Sequence, residues 1–291
     1  MAYRFLARNY EEGDRIYLFG FSRGAYTVRA LAGMIHALGL VRPELDHLAP
    51  DAWAVYADEE ESLSRSGLFE STARFKKTFG VTPAVRVHFV GVWDTVSSFG
   101  WIGNLRSTPY AADNPSVDHV RHAVAIDERR ALFADNRFYP RKAKHQSIKE
   151  VWFAGTHGDA GGGWPEAKSG LAKTTLEWMF REAENEGLLI DSAEKESFLG
   201  RSPGRKDRAK PSVECPVNRS LLGLWWLLEA IPRRQWWYTS DGGRMAWFWP
   251  HVARRRVIPK NALVHESVVR KLEVDQGYKP SNLPDEYVVE A

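Results

Sequence analysis

One cysteine, Cys215, leaves no partner for an internal disulfide and no set of thiolates for a zinc site. No uninterrupted apolar run reaches the roughly 18 residues that a membrane-spanning helix needs. The opening stretch MAYRFLARNYEEGDR holds no apolar core of signal-peptide length. The expectation is a soluble protein made in the cytoplasm, with any export by a route that uses no signal peptide. Neither sign of charge dominates: 40 Lys and Arg stand against 37 Asp and Glu, for a net charge of +3. No dense basic stripe interleaves with aromatics early in the chain, so nothing argues for nucleic acid. No internal repeat is visible.

What is present is enough apolar material, 44% of 291 residues, for one substantial domain or a domain with an appendage. The stretch RIYLFGFSRGAYTVRALAG, residues 15–33, carries the first signal of chemistry. Ile16-Tyr17-Leu18-Phe19 is short, apolar and β-prone, as a buried strand is. From Ala25 to Leu38, apolar residues recur at helical spacing (Val28, Leu31, Ile35, Leu38), and Gly39 is placed to end the helix. Gly20-Phe21-Ser22-Arg23-Gly24 therefore occupies a sharp strand-to-helix turn. A serine so placed is the nucleophile elbow, G-x-S-x-G. Glycines at 20 and 24 are expected where a Cβ would strike a neighbouring element. The helix N-terminus behind the hydroxyl favours an oxyanion, and the N–H of Arg23 is an expected donor to it. The five-residue pattern alone is common by chance; the strand before it and the helix after it give it weight.

Further along, AVRVHFVGVWDTV (84–96) reads as a strand that becomes buried on both faces. SVDHVRHAVAIDERRALF (116–133) reads as mostly helical. IKEVWFAGTHGDAGGGW (148–164) reads as a third strand followed by a glycine-rich loop, and LAKTTLEWMFREAENEG as a helix. Strands alternating with helices imply an α/β fold with a mainly parallel sheet. Chemistry in such sheets collects at the carboxyl ends of strands. Asp94 directly follows the strand VHFVGVW, and His157 follows VWFAG, giving the chain order Ser22, Asp94, His157 of α/β hydrolases. A serine hydroxyl needs a neutral imidazole to take its proton, and the imidazole needs a carboxylate to fix its tautomer. Asp159 and Asp127 are the alternative acids, and His122 is the alternative base. His157 with Asp159 is too small a donor set for a metal, and no cofactor is expected.

These stretches together resemble the DUF2235 family, α/β-hydrolase-like domains that include Tle1-like phospholipase effectors of type VI secretion. The resemblance rests on NYEEGDRIYLFGFSRGAYTVRALAGMI, GVWDTV, HAVAIDERRALF, VWFAGTHGDAGGGW and VHESVVRKL, and covers most of the chain in the family's order. It implies a mainly parallel α/β-hydrolase-like sheet flanked by helices. It also implies hydrolysis of carboxylic esters, with phospholipids as substrates of the secreted members. Ser22 matches the family's nucleophile, Asp94 its acid and His157 its base. A secretion-apparatus or immunity protein is the implied partner. Family members carry a first strand and an Asp-Gly-Thr-type loop ahead of this region. Here the elbow begins at residue 20, so the fold is expected to be N-terminally truncated, without an evident second oxyanion donor. A catalytically inactive interaction module is the alternative reading.

The expected organisation is a catalytic core over 1–190, an exposed linker or loop over 191–219 and a Trp-rich C-terminal cap or extension packing on the core over 220–291. Residues 221–249 hold six of the twelve tryptophans, and Arg254-Arg255-Arg256 follow. The segment reads either as a cap packed on the sheet or as a transient membrane-surface contact.

Overall fold

A computed structural model describes residues 1–57, 65–81, 84–96, 100–101, 104–105, 108–138, 143–203, 207–238 and 244–291. Its helices are α1 (Ala2–Asn9), α2 (Arg23–Leu38), α3 (Ala49–Ala57), α4 (Arg65–Phe79), α5 (His157–Gly161), α6 (Gly170–Asn185), α7 (Ser192–Phe198), α8 (Trp225–Glu229) and α9 (Glu266–Val274). Its strands are β1 (Tyr17–Phe21), β2 (Val87–Trp93), β3 (Gly100–Trp101), β4 (Asn104–Leu105), β5 (Val117–Ala125), β6 (Ser147–Phe153), β7 (Arg233–Tyr238), β8 (Arg244–Trp249), β9 (Ala262–His265) and β10 (Tyr287–Glu290).

The main sheet has six strands in the order β1-β2-β5-β6-β9-β10, and every neighbouring pair is parallel. Parallel strands need crossover connections, and the crossovers cover both faces. On one face α2 buries Leu31, Ile35 and Leu38 against Val87, Val90 and Val92 of β2 and Val117 and Val120 of β5. On the other, Trp178, Met179 and Ala183 of α6 pack on Phe89, Ala123, Val151 and Phe153. Two antiparallel pairs, β3–β4 and β7–β8, stand outside this sheet. Among the described residues no helix is long and apolar enough to cross a membrane.

One expectation needs correction, and the C-terminal third can be described more finely. Residues 117–125 form a strand rather than a helix. Val117, Val120 and Val124 are spaced three and four apart, which mimics a helix face, yet burial between β2 and β6 decides for a strand rich in β-branched residues. The stretch 191–219, read as an exposed linker or loop, holds local structure. Asp191 caps α7 by accepting the Glu194 N–H, Leu199 is fully buried, and the charges are engaged in pairs such as Lys195–Glu184 and Arg201–Glu177. The extension over 220–291 supplies two strands of the main sheet, β9 and β10. Each has four residues, too few for a periodic signal.

Candidate active site

Ser22 sits between β1 and α2 at φ 59° and ψ −122°, a conformation that non-glycine residues seldom adopt. Such strain persists only where the surroundings over-determine it. Here the Ser22 N–H donates to the Trp93 carbonyl at 3.0 Å, which ties the turn to the end of β2. A Cβ on Gly20 would lie 2.5 Å from the Gly24 carbonyl oxygen, so that position must be glycine. Gly24 differs from the expectation: a Cβ there meets nothing within 4 Å.

Asp94, one residue past β2, is fully buried and also has positive φ, at 39°. Its N–H donates to the Ala123 carbonyl, and its Oδ1 accepts the Ala125 N–H at 2.9 Å. His157 opens α5 rather than lying in a loop. Thr156 and Asp159 form a reciprocal capping box there, which satisfies the first-turn N–H groups. The His157 N–H donates to Glu128 Oε2 at 3.1 Å. Its ring lies 4.5 Å from that of Phe21 and 4.7 Å from that of Phe133.

The ring bridges the other two residues. His157 Nδ1 is 2.6 Å from Asp94 Oδ2, and Nε2 is 2.8 Å from Ser22 Oγ. An ionised carboxylate only accepts, so Nδ1 carries the proton and Nε2 is left to accept from the serine. Burial opposes the charge on Asp94, but Arg256 and His157 outweigh it and hold the carboxyl well below the usual carboxylate range. Arg256 makes a two-pronged contact, Nη1 to Oδ1 at 2.5 Å and Nη2 to Oδ2 at 3.0 Å. The N-terminus of the 16-residue α2, beginning at Arg23, stands directly behind the serine. That arrangement favours negative charge at this point.

The alternative acids and base are engaged elsewhere. His122 is fully buried on β5; its Nδ1 pairs with Glu150 at 2.7 Å and its Nε2 accepts the Thr95 N–H at 3.1 Å. Asp159 accepts from Thr156 and from the Asn218 side chain and N–H. Asp127 accepts from the Gly155 N–H and the Tyr278 hydroxyl. Burial pushes the carboxyls of both Asp127 and Asp159 up. Among the described residues no group of three or more His, Cys, Asp or Glu side chains is placed to hold a metal. A cleft of about 370 Å³ adjoins the elbow, lined by Phe19, Phe21, Trp93, Trp164 and Leu176 with Gly161–Gly163 between them.

Sequence reasoning missed Arg256, Glu128 and Phe133. Arg256 stood in a run of three arginines beside a segment read as either a packed cap or a membrane-surface contact, and no local pattern separates the buried one from its neighbours.

A strained serine at the carboxyl end of a parallel sheet, hydrogen-bonded to a histidine and through it to an aspartate, defines an α/β-hydrolase-like domain. The chain belongs to the type VI secretion phospholipase effector Tle1-like catalytic domain family, whose profile matches residues 1–182. An uncharacterized protein of Saccharomyces cerevisiae is 25% identical over 471 aligned positions, covering 99% of this chain and 69% of the relative. Among solved structures, a Tle1 effector bound to the VgrG spike of the type 6 secretion system is 25% identical over 54% of this chain, with a TM-score of 0.30. An uncharacterized protein from Pseudomonas aeruginosa is 21% identical over 68% of this chain, with a TM-score of 0.41. The chain spans 26% of the length of each of these two.

Proposed function

We propose that the protein hydrolyses carboxylic esters of lipids, phospholipids foremost, through an acyl-enzyme on Ser22. The observation that carries this reading is the unbroken hydrogen-bond chain Ser22–His157–Asp94. His157 Nε2 takes the Ser22 proton as Oγ attacks the ester carbonyl, and the oxyanion meets the Arg23 N–H and the α2 dipole. The imidazolium then protonates the departing alcohol, and a water activated by the same nitrogen releases the acid and restores the serine. Asp94 stays ionised throughout and stabilises the imidazolium.

A lipid surface as the source of substrate is supported by an exposed apolar patch on the segment that contacts Phe133, the neighbour of His157. Leu224 is 79% and Trp226 51% exposed, with Leu222, Leu227 and Val252 also exposed. The sole acid in residues 217–232 and 250–258, Glu229, is buried, while Arg219 and Arg254 are exposed. Apolar side chains among basic ones suit an anionic bilayer. The patch reaches the site through Trp225, whose ring lies 5.6 Å from that of Phe133. The side chains of Trp236, Trp237, Trp247 and Trp249, which the sequence reading also invoked, lie outside the described residues. With the family as support, the proposed carrier is a type VI secretion component; an immunity protein as antagonist and export without a signal peptide belong to the same proposal.

The second reading is a silent binding module that keeps the strained Ser22 turn as scaffold without turning over substrate. The test is hydrolysis of short-chain p-nitrophenyl esters and phospholipid vesicles. Wild-type turnover that Ser22→Ala reduces by about 10⁴-fold or more is expected. A folded wild-type protein inert toward every substrate gives the second reading.

A further inference from the structure

Arg256 lies 162 positions beyond Asp94 and outside the matched residues 1–182. Only 5% of it is exposed. Besides its fork on Asp94, Nη1 donates to the Ala125 carbonyl at 2.9 Å and Nη2 to the Phe133 carbonyl at 2.6 Å. The guanidinium thus joins the ends of β2 and β5 to the loop whose Phe133 ring faces His157.

The Asp94 carboxylate accepts at four points: Arg256 and the Ala125 N–H at Oδ1, Arg256 and His157 at Oδ2. A planar fork against a planar carboxylate fixes its rotation, which one N–H alone would not. The fork also brings a positive charge to the acid that must stabilise the imidazolium. We propose that Arg256 is a positioning residue for the Ser22 reaction, locking the Asp94 carboxylate toward His157 while offsetting its charge. The inference rests on the hydrolase reading above. Removing the Arg256 charge would leave the Asp94 carboxylate to face the imidazole alone, so variants that remove the charge and variants that remove only the fork separate the two roles.

The other charges facing this group have partners of their own. Glu128, which accepts the His157 N–H, is paired with Arg130. Asp135, 3.9 Å from Arg256 Nε, is paired with Arg137 at 2.7 Å. Asp127 meets Arg255 and Tyr278, and His122 pairs with Glu150. Arg256 is the cation in direct contact with Asp94.

The test compares wild type, Arg256→Met and Arg256→Lys. The first readout is the His157 imidazole followed by NMR against pH, its signal identified by its loss in His157→Asn. It requires no catalysis. The second is kcat/KM against pH on a soluble p-nitrophenyl ester. In Arg256→Met the imidazole should titrate about one pH unit higher, and the acid limb of kcat/KM should move up with it. Its kcat should fall about 10²-fold, with KM within about twofold. Arg256→Lys keeps a charge but loses the fork, so its kcat should fall while its titration stays close to wild type. Should Arg256→Met not fold, Arg256→Lys carries the test, and a kcat within twofold of wild type overturns the proposal. An imidazole titration unmoved in folded Arg256→Met also overturns it, whether or not the wild type turns over ester. A wild type inert toward esters with the titration shifted removes the hydrolase reading and leaves the Arg256–Asp94–His157 coupling standing.

Discussion

His157 has both ring nitrogens, its backbone N–H and its ring faces occupied, by Asp94, Ser22, Glu128, Phe21 and Phe133. A side chain so constrained has little rotamer freedom left to lose in a reaction, which is what general-base catalysis requires. The residues of such a chain act as a unit. Ser22→Ala and His157→Ala should each remove nearly all turnover, and the double variant should be little worse than either. Additive losses measured by kcat on one ester would mean the two side chains act separately. Asp94 answers to two partners, which makes its replacement a stability question as well. Asp94→Ala strands the buried Arg256 guanidinium, an uncompensated charge costing about 3–5 kcal/mol. The double variant Asp94→Ala/Arg256→Met removes both charges and should recover much of that loss in urea melts. A double variant no more stable than Asp94→Ala would show that the pair contributes little beyond packing.

The elbow is where one element's geometry is most tightly specified. Gly20→Ala would place a Cβ 2.5 Å from the Gly24 carbonyl oxygen and 2.8 Å from the Ala25 Cα, both backbone atoms unable to step aside. Overpacking of this kind costs about 3 kcal/mol, or a Tm lower by about 6–10 °C, and the serine should lose its place. Gly24→Ala meets open space inside α2 and should stabilise the helix by about 0.5–1 kcal/mol. Thermal melts of the two variants should therefore move in opposite directions, and equal losses would mean that the turn does not pack as described. How much of this was legible in the sequence depended on the range of each contact. The Ser22 turn showed in consecutive residues, an apolar run, two glycines and a helical pattern. Asp94 showed because it directly follows an apolar strand, and His157 because it comes a few residues past the end of another. β5 did not show, since its valines fit helical spacing and only its neighbours β2 and β6 settle its conformation. β9, β10 and the Arg256 fork did not show either. Four-residue strands carry no period, and a contact across 162 positions leaves no local trace.

Across the whole molecule, buried titratable groups set how stability should depend on pH, and they do not all pull the same way. The carboxyl of Asp94 is held low despite its burial, so its contribution is present at pH values above the ordinary carboxylate range and lost only in stronger acid. Asp127 and Asp159 are pushed up by burial and hold their protons to higher pH than an unfolded chain would, so they favour the folded state more as pH falls. Earlier in acid than these carboxyls comes His265, at the junction of β9 and α9. Its ring stacks on Phe153 at 4.5 Å, and its Nδ1 accepts from the Ser267 N–H and meets the Ser267 hydroxyl. Burial, with Arg181 and Arg270 nearby, pulls it down from 6.5 to about 4. Between those two values the unfolded chain binds a proton that the folded chain refuses. Its stabilisation is therefore complete above about pH 6.5 and is lost as pH falls toward about 4. A shift of this size corresponds to about 3 kcal/mol at most. His36 and His119 are also lowered by burial, so the effect must be read as a difference between variants. His265→Asn keeps an acceptor for the Ser267 N–H at the helix N-cap and removes the titrating ring. It should be less stable than wild type at pH 7, through the lost stacking on Phe153. The gap should narrow steadily as both proteins are melted in urea at successively lower pH down to 4. Two stability curves that stay parallel over that range would show that His265 takes up a proton as readily folded as unfolded, and that its burial at the β9–α9 junction does not govern the acid response of the molecule.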